Sequence, residues 1–311
     1  MHRSFRRMDA SRSRQLRRSA ACGAVMTAAA LLGACRRAGI LDPRGPVSGA
    51  ERLILLNATG IMLVVVVPVI MITLAFAWWY RASNKKAAYE PEWSYSGQIE
   101  MVVWSIPAMV VILLAGVGWT GSHQLDPAQK LVSEKKPVRI QAISLDWKWL
   151  FIYPDQGVAT VNELVIPAGT PVEFMLSSAT VMNSFFVPRL GSQIYTMAGM
   201  TTQLSLEADN PGTYPGISAQ FSGAGFSGMT FAVVAVSPGQ FAGWVATTRQ
   251  SGTALDAADY AGLAKPSQNN PATTYRQVPS QLFETIVSRS APVSKDSRSA
   301  PAAAPPFRSR N

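Results

Sequence analysis

Two stretches without a charged side chain, residues 53–80 and 101–120, limit the folds open to this chain more than any other feature. Each reaches the roughly 20 apolar residues that a helix needs to cross about 30 Å of hydrocarbon. The first contains Ile61-Met62-Leu63-Val64-Val65-Val66-Val67 and ends in Trp78-Trp79-Tyr80-Arg81, aromatic and basic residues that suit a membrane interface. Pro68 removes a backbone donor and predicts a kink. The second holds Trp104, Pro107 and Trp119. A short polar loop joins them, so the pattern predicts a transmembrane hairpin. Arg81, Lys85 and Lys86 in that loop place it on the cytoplasmic side.

The net charge of +10 suggests an anionic partner until its distribution is considered. Seven arginines (Arg3, Arg6, Arg7, Arg12, Arg14, Arg17 and Arg18) precede a short apolar run that closes on Leu32-Gly33-Ala34-Cys35. A basic region, a short apolar core and a small-small-Cys end resemble a bacterial lipoprotein signal peptide over residues 1–34, with Cys35 as the lipidated new N-terminus. That leader carries seven Arg and one Asp, so six of the ten positive charges leave with it. What remains gives no reason to expect nucleic acid. The chain has two cysteines, Cys22 and Cys35, and Cys22 lies in the leader, so the mature chain has no internal disulfide to draw on.

From Pro137 onward, β-branched and aromatic runs alternate with turn residues such as Pro154-Asp155-Gln156-Gly157 and Asn210-Pro211-Gly212. Strands are predicted over 138–143, 147–153, 161–166, 172–176, 202–206 and 229–236, forming a compact antiparallel barrel or sandwich. Short helices are predicted over 241–249, 255–263 and 280–287, and disorder over 288–311. The expected organisation is an exported segment 35–52, a helix 53–80, a cytoplasmic loop 81–100, a helix 101–120, a linker 121–136, a β-domain 137–240, a helical extension 241–287 and the tail. Beyond His123 there is neither histidine nor cysteine, which excludes a thiolate or imidazole metal site in the β-domain.

A hairpin followed by an exported β-domain containing Asp146-Trp147-Lys148-Trp149 and Gly216-Ile217-Ser218-Ala219-Gln220-Phe221-Ser222-Gly223 resembles subunit II of the haem-copper terminal oxidases. The run from Met182 to Tyr195, together with Phe226-Ser227-Gly228-Met229, is similar to the quinol oxidase branch of that family. The resemblance implies a membrane-anchored α+β protein with a cupredoxin-like barrel, in the bacterial cytoplasmic membrane, with the barrel in the periplasm. It implies a large haem-bearing and copper-bearing subunit I and small membrane subunits as partners, ubiquinol as substrate of the complex, and no role for cytochrome c. In the cytochrome c oxidase branch the barrel holds a dinuclear copper centre. The matching positions here are Asn183, Ser218, Gln220, Ser222, Phe226 and Met229, of which only Met229 keeps the ligand type, so this chain is expected to hold no cofactor. Trp147 falls where that branch places an electron-entry aromatic, and packing is its expected task here. The resemblance puts Glu100 at the mouth of a proton-uptake path, although a carboxylate there also favours the helix dipole.

Other readings stay open from residues alone. Met182, Met197 and Met200 are thioethers that fill gaps more often than they bind copper(I). Gly223, Gly225 and Gly228 lack the strand-loop-helix setting of a phosphate cradle. Arg189 and Lys148 are read as solvated charges or as partners for carboxylates on another subunit. A free-standing lipoprotein that binds a ligand or metal through its β-domain is the alternative function.

Overall fold

The computed structural model describes residues 39–88 and 90–290. The expected leader, Cys35 and residues 291–311 lie outside the described residues. The chain divides into two compact units.

The first unit holds α1 (Pro46–Trp79) and α2 (Gly97–Gln124), both long and apolar enough to cross a membrane. Pro46 sits at the start of α1, where its missing N–H costs nothing, and the helix continues unbroken through Pro68. Both helices outrun the uncharged stretches, α1 beginning at Pro46 and α2 running from Gly97 to Gln124. The helices meet where Gly121 lacks a side chain, since a Cβ there would stand 2.7 Å from Ile54 Cδ1.

Residues 187–192 and 206–210 belong to the same unit and hold the segment that leads into α1. Arg44 N donates to Arg189 O (2.7 Å) and Ser48 N to Leu190 O (3.2 Å), while Asp209 N donates to Arg44 O (2.8 Å). Gly45 is required here, because any Cβ would collide with the Glu207 carbonyl. The Arg189 guanidinium pairs with Asp42 at 2.5 Å, which corrects the reading of Arg189 as a solvated charge.

The second unit is a sandwich of two sheets. One has the strand order β11-β12-β3-β2-β1-β5-β8 and the other β4-β10-β9-β6-β7. Its strands are β1 (Val138–Leu145), β2 (Lys148–Tyr153), β3 (Val158–Val161), β4 (Glu163–Pro167), β5 (Val172–Ser178), β6 (Asn183–Phe186), β7 (Ile194–Thr196), β8 (Thr202–Leu206), β9 (Gly212–Ser218), β10 (Thr230–Val236), β11 (Thr253–Ala254) and β12 (Thr273–Gln277). Most neighbours are antiparallel, but β1 runs parallel to β5, β4 to β10 and β11 to β12. The predicted strand 161–166 is two strands, because Asn162 adopts φ +55° and turns the chain from one sheet to the other.

The larger sheet is buried on both faces at its centre, where every residue of β2 is buried. Trp149 and Phe151 point into the space between the sheets. There they meet Phe185 and Phe231, the Trp149 ring lying 5.5 Å from that of Phe185 and 5.6 Å from that of Phe231. Leu150 and Ile152 point the other way and pack with Ile143, Leu255, Leu282, Phe283 and Ile286. That second face is covered by α4 (Ala257–Leu263) and α5 (Leu282–Ser290) with the links beside them, while α3 (Pro238–Ser251) packs Phe241 and Trp244 against Tyr153 at the end of β2. The extension 241–287 is therefore not purely helical, since β11 and β12 lengthen the sheet, and α5 runs to Ser290 rather than stopping at 287. Ser237 and Gln240 cap α3 reciprocally, and Asp256 and Asp259 do the same for α4.

Candidate functional site: a closed loop without soft ligands

Strands β6, β9 and β10 converge on the loop of residues 219–229. β9 pairs with β6 through Phe185 and Phe186 and with β10 along most of its length. This brings Asn183, Ser218 and Met229 together. Ser218 Oγ donates to Asn183 Oδ1 at 3.1 Å, and Asn183 Nδ2 donates to Val181 O at 3.1 Å. Ser218 N donates to Met229 O at 3.0 Å, and Met229 itself is only 1% exposed. The side-chain amide and hydroxyl thus satisfy one another in the interior, as buried polar groups must.

The other three positions lie along the loop. Gln220 is half-exposed, and Phe226 makes an edge-to-face contact with Phe221 at 5.6 Å. The Ser222 carbonyl accepts from Trp147 Nε1 at 3.0 Å, whereas Ser222 Oγ is buried without a hydrogen-bond partner. Trp147 has φ +62° in the turn between β1 and β2, and its ring lies against Gly225 so closely that a Cβ there would overlap the indole. Gly223 and Gly225 cover Trp147, whereas Gly228 faces Asn269. Contact with the indole gives Gly225 a steric reason that the spacing of the glycines alone did not supply.

A dinuclear copper centre needs bridging thiolates and imidazoles. The residues at these positions offer an amide, two hydroxyls, a second amide, a phenyl ring and one thioether, and the first amide is already committed to Val181 and Ser218. The donor set does not fit that centre. Among the described residues no cluster of three or more His, Cys, Asp or Glu is placed to hold a metal.

Sequence reasoning missed the neighbouring lysine. Lys148 is 1% exposed, and its Nζ donates to Lys265 O (2.8 Å) and Ser267 Oγ (2.7 Å). Burial pushes its pKa below the ordinary lysine range, and the nearby Asp146 charge partly restores it. Lys148 is neither solvated nor offered to a carboxylate elsewhere. Its alternation with Trp147 and Trp149 in an otherwise apolar strand was the available signal.

Glu100 stands in the first turn of α2, exposed, and accepts a hydrogen bond from Trp104 Nε1 at 3.1 Å. That contact, one helical turn on, fixes the carboxylate against the helix.

The chain matches the model of the cytochrome c oxidase subunit II periplasmic domain over residues 156–236 and the COX aromatic-rich motif over 249–290. The cytochrome bo(3) ubiquinol oxidase subunit 2 of Pseudomonas putida is 53% identical over 250 residues, covering 80% of each chain. That of Pseudomonas aeruginosa is 51% identical over 261 residues, covering 84% of this chain and 78% of the relative. The ubiquinol oxidase subunit 2 of Acetobacter aceti is 47% identical over 266 residues, covering 85% and 86%. With identity this high across more than three quarters of each relative, the chain belongs to the ubiquinol oxidase subunit 2 family, within the subunit II proteins of the haem-copper oxidases.

Proposed function

We propose that this chain is the non-redox subunit II of a proton-pumping ubiquinol oxidase in an aerobic respiratory chain. The observation that carries the reading is the closed Asn183–Ser218–Met229 arrangement, where amide, hydroxyl and buried thioether replace the donors an electron relay needs. A quinol dissolved in the bilayer requires no exported relay. In this reading haems, copper and the quinol site belong to subunit I. Small membrane subunits complete the complex, and cytochrome c is not a donor. The chain sits in the bacterial cytoplasmic membrane as a hairpin with its β-domain in the periplasm, lends structure to the complex and borders a proton path.

Oxygen consumption by the complex that copurifies with a tag on this chain tests the reading. Turnover is expected with reduced ubiquinol and not with reduced cytochrome c. Cytochrome c turnover overturns the loss of the relay, and purification without haem would favour the free-standing lipoprotein.

Two residues carry finer proposals. Glu100 is proposed as the mouth of the proton-uptake path, supported by its fixed, exposed position at the start of α2. Glu100→Ala is expected to slow turnover by about a hundred-fold, the low end of what one proton-transfer group contributes. Rates equal to wild type at every pH would leave it a helix-terminus role only. Cys35 is proposed as the lipidated N-terminus, supported by the order of residues 1–35. Labelled palmitate should enter the wild type and not Cys35→Ser, and equal labelling would remove the proposal.

A further inference from the structure

The loop between α1 and α2 folds back over the helix ends and leaves a hollow of about 650 Å³ lined by Phe76, Tyr80, Ala88, Glu90, Trp93 and Ile99. Its volume falls within the range of about 300–1,000 Å³ usual for small-ligand sites. The lining is graded. Phe76 and Ile99 belong to the helices, Tyr80 stands at the end of α1, and Trp93 and Glu90 come from the loop. Phe76 and Tyr80 lie four residues apart and meet edge to face at 6.2 Å, forming one aromatic wall. Trp93, 59% exposed, supplies a second. Among the described residues the Glu90 carboxylate makes no ion pair. The nearest arginine in sequence does not neutralise it, because the Arg81 guanidinium is stacked 4.8 Å from the Trp78 ring and donates to Trp78 O and Ser83 Oγ.

Aromatic faces attract a cation, and a carboxylate among them adds a full opposite charge, so the hollow is built for an ammonium group. The apolar end of the same hollow suits hydrocarbon, and Trp and Tyr at the end of a membrane helix mark the headgroup level. One abundant membrane molecule joins an ammonium to acyl chains at that depth. We propose that the hollow seats the headgroup of an aminophospholipid of the phosphatidylethanolamine type, its ammonium between Trp93, Tyr80 and Glu90, and its chains along Phe76 and Ile99. The inference rests on the reading of α1 and α2 as a membrane hairpin.

The test uses the intact complex in nanodiscs of equimolar palmitoyl-oleoyl phosphatidylethanolamine and phosphatidylglycerol, with the lipids retained on the protein counted by native mass spectrometry. Wild type is expected to retain phosphatidylethanolamine in preference. Glu90→Gln and Trp93→Ala should each lower that retention at least about three-fold, the scale of one cation–π contact. Glu92→Gln, a carboxylate outside the hollow, should leave it unchanged. Preferential retention of phosphatidylglycerol, or equal retention in Glu90→Gln, overturns the proposal. So does carbodiimide coupling of Glu90 to a lysine of a co-purifying protein, because a partner's cation would then occupy the site. Ubiquinol turnover in the same sample reports separately on the proposed function.

Discussion

The two units solve the same problem in opposite ways. The hairpin and the β-sandwich are both rich in large apolar side chains, yet along α1 and α2 those side chains are exposed, from Leu63 and Met71 to Ile112 and Trp119, whereas Trp149, Phe151, Phe185 and Leu164 in the sandwich are buried completely. The sandwich closes its own core between two sheets and a C-terminal cover. The helices pack tightly at Gly121 and otherwise present apolar surface outward. Such a surface is stable only where the surroundings are also apolar, so the solvent of the first unit is lipid or another membrane helix. Specific shape should therefore matter in the sandwich and general apolarity in the hairpin.

The largest effect expected from that contrast is at Trp149. Its side chain has no exposure and its ring contacts Phe151, Phe185 and Phe231. Trp149→Ala opens a cavity in the middle of the aromatic cluster and should cost about 3–5 kcal/mol. Denaturant or thermal unfolding of the full chain in detergent, followed by near-ultraviolet circular dichroism of the sandwich, measures it. A loss under about 1 kcal/mol would mean that the sandwich, like the hairpin, borrows stability from a partner.

How far the sequence discloses this contrast differs between the units. The hairpin is legible because lipid imposes a simple rule, a long stretch without charge, and the ends err where α1 begins at Pro46 and where α2 begins at Gly97 and runs to Gln124. In the sandwich, β2 is legible as an apolar run, but the reason that its alternation is missing lies more than a hundred residues later, in Leu282, Phe283 and Ile286. β9 was hidden by Gly212, Pro215 and Gly216. Pro215 is tolerated because β6 pairs only with Ile217 and Ser218, so no second strand asks for its missing N–H. Gly216 is required because a Cβ there would strike the Phe231 ring. The six former ligand positions were found through resemblance, while the hydrogen bond between Asn183 and Ser218 and the burial of Lys148 depend on contacts 35 and 117 residues apart.

Lys148 sharpens the comparison at an intermediate scale. It is a cation held inside the self-sufficient unit by a carbonyl and a hydroxyl. Lys148→Met keeps the length of the side chain but leaves Lys265 O and Ser267 Oγ without that donor, a loss of about 1–2 kcal/mol at neutral pH. The pH dependence has a definite sign. Because burial lowers the folded pKa below that of the unfolded lysine, the unfolded chain holds more protons between the two values. Wild-type stability therefore rises with pH in the alkaline window below 10.5, the ordinary value, and Lys148→Met should remove that rise. A variant whose midpoint still climbs over the window would assign the slope to another group, Tyr260 and Tyr275 being excluded because their pKa values are raised and their contribution has the opposite sign.

The smallest effect belongs to the hairpin, where it is the most informative. Ile72 lies in the uncharged stretch of α1 and is 52% exposed. Ile72→Leu conserves volume and apolarity, and lipid tails are as apolar as either side chain, so the change should stay within about 0.5 kcal/mol. Thermal stability of the purified complex and the amount of large subunit that copurifies are the two readouts. Unchanged values fit a face that meets lipid. A clear loss of the copurifying subunit, with the stability of the isolated chain intact, would show that this face meets a shaped protein surface instead. The rule of general apolarity would then fail at that turn of α1, and an equivalent substitution one residue further round the helix, at Thr73, would trace how far the shaped contact extends.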